Sequence, residues 1–218
     1  MTERALGALV CRALLNAART PAVWIAIGAQ IVFLSLYLLV WGDGIPLVGA
    51  RPVLDQFATT QWILLGVLLP WAAARTGAAG RGDEIAQLAA LGAVLPSSVV
   101  AAGMTALTVL LVSTAAVGLP FAFLAQQLSA GSAFDLWRTQ LPLYGLGLCA
   151  ATITTACMLV VANRLLAWTA ATALTFCVMA AVPNGLPGAA VLAALGVAIG
   201  AGLVSGANRR FRYLSEQA

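Results

Sequence analysis

Histidine and lysine, on which much general-base, metal and phosphate chemistry draws, do not occur in this chain, and all eleven basic residues are arginine. Without histidine there is no Ser-His-Asp triad, no H-E-x-x-H zinc site and no His-ligated haem. Without lysine there is no G-x-x-x-x-G-K-[ST] phosphate loop, so the chain does not hydrolyse ATP by that route. The four cysteines, Cys11, Cys149, Cys157 and Cys177, form no C-x-x-C pair, and the last three lie in apolar stretches. Packing as small hydrophobes is the plainer reading for them, ahead of a disulfide or thiolate site. What remains are sparse carboxylates, and the one adjacent pair is Asp83-Glu84, in the run RGDEIAQLAALGAVLPSSVV. No catalytic residue, cofactor or metal is expected in this chain.

The elements that carry these residues follow from the composition. Of 218 residues, 62% are hydrophobic and 8% charged, and the mean hydropathy is +0.99. A soluble domain carries roughly 25% charged residues. Lipid must therefore be the solvent for most of this chain, and in lipid an unbroken run of about 20 apolar residues folds as a spanning helix. Six stretches qualify: 21–41, 57–74, 97–126, 141–162, 165–182 and 188–207. The expected fold is all-α integral membrane, with 1–20 before the spans and 208–218 as a tail. The third stretch is longer than a span requires, so it should tilt or break near Gly118-Leu119-Pro120. Short joints between spans four, five and six predict that these three helices pack as neighbours.

Arginine placement sets the orientation. Arg4, Arg12, Arg19, Arg75, Arg81, Arg164, Arg209, Arg210 and Arg212 fall on one side of the six spans, and only Arg51 and Arg138 on the other. The richer side is expected to be cytoplasmic, with both termini there. The alanine-rich, lysine-free usage resembles that of a high-GC bacterial genome, which places the protein in a bacterial inner membrane.

Two segments outside the spans read as helices. Over residues 2–20, Arg12, Asn16 and Arg19 share one face, broadly opposite Leu6, Leu9, Val10, Leu14 and Ala17. That predicts an amphipathic helix in the cytoplasmic interface; the alternative is a charged flank that only fixes topology. In the loop between spans two and three, Asp83 suits an N-cap, Glu84 the positive helix start and Gly92 a C-terminal stop. Ile85, Leu88 and Leu91 give one apolar edge. A short helix across the cytoplasmic face is expected there, or else an ordinary connection.

Within the six stretches there is no Asp, Glu, Lys, Arg or His. Ion-coupled transporters and pumps place such groups at membrane depth, so any uphill movement must draw its energy from a partner. The interior polar groups are neutral, among them Gln30, Gln61, Thr114, Thr152, Thr155 and Thr175. Most should bond neighbouring carbonyls, and a minority line a path. Gly196/Gly200 and Gly202/Gly206 form two G-x-x-x-G pairs, readable as a subunit interface or, more simply, as packing within the bundle.

Taken together, the N-terminal amphipathic segment, six spans and the run RGDEIAQLAALGAVLPSSVV resemble the membrane subunits of type-2 ABC exporters. The small six-span layout is more weakly similar to the haem-exporter B subunit of cytochrome c maturation. The first resemblance implies a permease that pairs with a second permease, identical or different, and with two ABC ATPase subunits that carry the ATP and magnesium. It implies that Asp83, Glu84, Gln87, Leu88 and Leu91 form a coupling helix against the ATPase, and that Arg12, Asn16 and Arg19 anchor the interfacial helix in membrane lipid. Amphipathic or lipid-like cargo fits such a path, and nothing points to nucleic acid. The reading from another class is a membrane scaffold without transport activity. An intramembrane enzyme would need a Ser/His dyad or clustered acids in the spans, and has neither.

Overall fold

A computed structural model describes residues 3–42, 53–76, 95–128, 132–161, 163–182 and 185–216. They form eight helices and, among the described residues, no strand: α1 (Glu3–Ala18), α2 (Pro21–Gly42), α3 (Val53–Thr76), α4 (Pro96–Ala116), α5 (Leu119–Leu128), α6 (Ala133–Val160), α7 (Arg164–Ala181) and α8 (Leu186–Glu216). Counting α4 and α5 as one path, six of these segments are long and apolar enough to cross a bilayer. This is the architecture of a multi-pass membrane protein.

Its surface and interior are exchanged relative to a soluble bundle. Ile25, Phe33, Leu36 and Leu39 of α2 are exposed, as are Val160 and Val197. Gln30, Gln61 and Gln140 are fully buried. Apolar tails can cover the first set, while the second must find partners inside. Hydroxyls largely follow the local rule: Thr59, Thr105, Ser113, Thr155 and Thr175 each donate to the carbonyl four residues earlier at 2.7–2.8 Å. Thr154 and Thr172 have hydroxyls without a partner.

Helix ends explain where elements begin. Pro96 opens α4, after Leu95 in an extended conformation, as its missing N–H and fixed φ favour. At α6, Asp135 N–H donates to Ser132 Oγ at 3.2 Å, and Ser132 N–H and Oγ donate back to Asp135 Oδ2 at 2.9 and 2.7 Å. This reciprocal cap starts α6 well before the apolar stretch at 141 and brings Arg138 and Gln140 onto the helix. Asn163 Oδ1 accepts from Leu165 N–H at 2.9 Å and starts α7.

The third span breaks. Pro120 has no N–H to offer Ala116, and the turn tightens: Val117 and Gly118 N–H donate to Thr114 and Ala115 carbonyls, each at 3.2 Å. The last helix is longer than its apolar stretch and continues to Glu216.

Helix α6 is the centre, packed by α3, α4, α5, α7 and α8. Leu143, Leu146, Cys149, Ala150 and Ala151 of α6 join Leu65 and Leu69 of α3, Leu107 and Leu111 of α4, and Leu192 of α8 in the main core. The three-helix expectation holds only in part. Helix α7 lies against α3 and α6, and α8 against α4 and α6, but α7 and α8 make no comparable contact with each other. Glycines decide this: a Cβ at Gly145 would stand 3.0 Å from Leu192 Cβ, and one at Gly196 2.8 Å from Leu148 Cγ. With these side chains absent, α8 beds into α6. The Gly196/Gly200 pair therefore serves packing within the bundle, whereas Gly202 and Gly206 face open space.

Candidate functional site

Three places in the structure hold the polar groups of interest. The first is α1. Arg12, Asn16 and Arg19 are exposed, while Leu9, Val10 and Leu14 are partly covered and Ala17 is buried. Helix α1 packs chiefly on α4 and more lightly on α2. Trp24 Nε1 donates to Ala18 O at 2.8 Å and fixes the corner between α1 and α2. The expected coupling residues Asp83, Glu84, Gln87, Leu88 and Leu91 lie outside the described residues, so no geometry is drawn for them.

The second place is a knot of amides at the break between α4 and α5. Gln140 Nε2 donates to Gln61 Oε1 at 3.1 Å, and Gln61 Nε2 reaches the Ala115 carbonyl at 3.5 Å. A Cβ at Gly118 would collide with the Gln61 amide and stand 3.0 Å from Gln30 Nε2. Glycine is thus the residue that lets the broken turn lie on these amides. Neither polar atom of the Gln30 amide has a partner, nor does Gln140 Oε1. A buried amide left unpaired costs about 1–3 kcal/mol, which makes this joint the least satisfied polar site of the described core. Gln30 and Gln61 stand out in the sequence as polar interruptions of apolar runs. Gln140 does not, because it precedes the fourth stretch.

The third place is a cleft of about 660 Å³ at the end of the bundle where α3 and α6 begin and α7 ends. Asp55, Thr59 and Trp62 line it from α3, and Arg138 and Thr139 from α6. Phe176 and Met179 of α7 close the far wall. Both seat against Gly66 of α3, where a Cβ would stand 3.2 Å from Phe176 Cζ and 3.0 Å from Met179 Sδ. Gly185, with φ of +88°, turns the chain at the mouth beside Arg138. This volume lies in the range of small-molecule sites. A shallower groove of about 390 Å³ runs between α4, α6 and α8.

Among the described residues no three His, Cys, Asp or Glu side chains cluster as metal ligands. Cys149 and Cys157 are buried as expected of small hydrophobes, Cys11 and Cys177 are exposed, and all four are free thiols. What the arrangement offers is non-covalent recognition at one end of the bundle and a polar break inside it. No family model, curated protein or solved structure matches the chain.

Proposed function

We propose that this chain is the permease subunit of an ATP-driven exporter of the type-2 ABC kind, working with a second permease and a pair of ABC ATPases in a bacterial inner membrane. The observation that carries the reading is the charge distribution over the folded bundle. Asp55, Arg75, Asp135 and Arg164 fall in the first or last turns of their helices, and Arg138 follows one turn into α6. Between those ends the described spanning segments hold no Asp, Glu, Lys, Arg or His, so among the described residues there is no carboxylate or basic group at depth with which to couple an ion gradient. The break in the third span gives it a joint that can bend, and α1 rests on the helix leading to that joint. Energy must then arrive from outside the bilayer, and the Asp83–Leu91 segment is its point of entry.

Purification under mild detergent tests the proposal. An ATPase subunit should copurify with the full chain, and Glu84→Lys with Leu88→Lys should detach it. Retention of the ATPase by the double variant would remove the docking site. Absence of any ATPase from the wild-type preparation would favour the scaffold reading.

A further inference from the structure

The cleft between α3, α6 and α7 is graded from charged to apolar along its α3 and α6 walls, and its α7 wall is apolar. On α3 the order is Asp55, Thr59, then Trp62; on α6 it is Arg138, Thr139, then Pro142. Helix α7 runs the opposite way, and its Phe176 lies deeper than Met179. From Asp55 to Trp62 the descent is about 10 Å at 1.5 Å per residue. Helices α3 and α6 thus place their polar ends at one mouth, and all three helices set apolar side chains below it.

The two charges at the mouth are not spent on each other. Among the described residues no ion pair joins Asp55 to Arg138. Asp135, one turn before Arg138, uses its carboxylate to cap α6 through Ser132. The Thr59 and Thr139 hydroxyls donate their protons to the Asp55 and Leu136 carbonyls, at 2.8 and 2.9 Å, which leaves oxygen lone pairs free to accept. A cation-seeking carboxylate and an anion-seeking guanidinium therefore flank one opening above an aromatic and thioether floor.

We infer that this cleft binds an amphiphile with a zwitterionic head and a single apolar chain. The anionic group of the head meets Arg138, the ammonium meets Asp55, and the chain lies along Trp62, Phe176 and Met179. A cleft of about 660 Å³ suits one chain, and its mouth carries one charge of each sign. The inference rests on the permease reading for the claim that such a molecule is cargo, whereas binding itself needs no ATPase.

The test uses the full chain in maltoside micelles, with native mass spectrometry and a binding titration. Three probes share one acyl chain: lysophosphatidylcholine, lysophosphatidylglycerol and a monoacylglycerol. The expected result is saturable binding of one lysophosphatidylcholine per chain, tighter than either of the others. Asp55→Asn and Arg138→Gln alter exposed side chains and should each weaken it about five-fold, the loss of one partly solvated charge contact. Asp55→Asn should also erase the preference over the anionic probe. Gly66→Val should push Phe176 and Met179 into the floor and weaken all three probes together. Equal binding of the three heads, non-saturable uptake, or indifference to both charge variants would overturn the inference. If an ATPase copurifies but the cleft binds nothing selectively, only this inference fails. If the cleft binds and no ATPase copurifies, the export reading fails and the site stands.

Discussion

Gln61 accepts from the buried Gln140 amide and reaches the Ala115 carbonyl, which also accepts from Gly118 N–H, so its removal leaves the Gln140 amide N–H unpaired. Gln61→Leu should lower stability by about 1–3 kcal/mol, because the stranded amide keeps its full desolvation cost. Replacing both partners, Gln61→Leu with Gln140→Leu, should recover part of that loss, since the pair then withdraws together. Thermal unfolding of the three variants in detergent reads this directly. A double variant as unstable as the sum of the two single changes would show that the amides act independently. Gly118 belongs to the same argument. A methyl group there would meet the Gln61 amide, and Gly118→Ala should cost about 1–3 kcal/mol through overpacking. Gln61→Ala in the same chain should relieve most of the collision, and a melting temperature unchanged by that second substitution would refute the steric account.

Helix α8 separates its glycines by neighbour. Gly196 lies where any side chain meets Leu148 and the Cys149 backbone, whereas Gly202 has nothing within 4 Å. Gly196→Val should destabilise the chain by about 1–3 kcal/mol, and Gly202→Val should change it by no more than about 0.5 kcal/mol, as at an unengaged surface position. Equal losses at both would place α8 differently on α6. The sequence cannot rank these glycines, since their spacing is the same and only the fold distinguishes them. The spans themselves were legible, because lipid demands long apolar helices and tolerates little else. The break at Gly118-Leu119-Pro120 was legible for a similar reason, as proline denies its helix a donor. The start of α6 was not: Asp135, Arg138 and Gln140 depress the hydropathy of its first turns, and the Ser132 cap that holds them helical is a local bond. The sequence reading therefore leaves Arg138 in an outer loop, and the cleft that depends on it goes unforeseen. Nor does a short joint dictate packing along two helices, and α7 and α8 part on either side of α6.

For the whole molecule, everything depends on which end of the bundle faces the cytoplasm. Nine arginines against two predict that α1 lies inside and that the start of α6 lies outside. The free thiols allow a direct measurement. Cys11 is exposed on α1, and Cys149 and Cys157 are buried. A chain that keeps Cys11 and carries alanine at the other three positions should react with a membrane-impermeant maleimide only after spheroplasts are opened. A second chain, with Cys11→Ser and Ala133→Cys in the same background, should react while they are intact, since Ala133 is exposed in the first turn of α6. The reverse pattern would place Asp83–Leu91 outside the cell, beyond the reach of any ATPase, and the exporter proposal would end there. The cleft would then open to the cytoplasm, where it would still bind a zwitterionic amphiphile but would load it from the opposite leaflet. Labelling of both positions from one side would instead mean an even number of crossings between them. The broken third span would then have to enter and leave by the same face, with its apolar length of 33 residues folded back at Gly118.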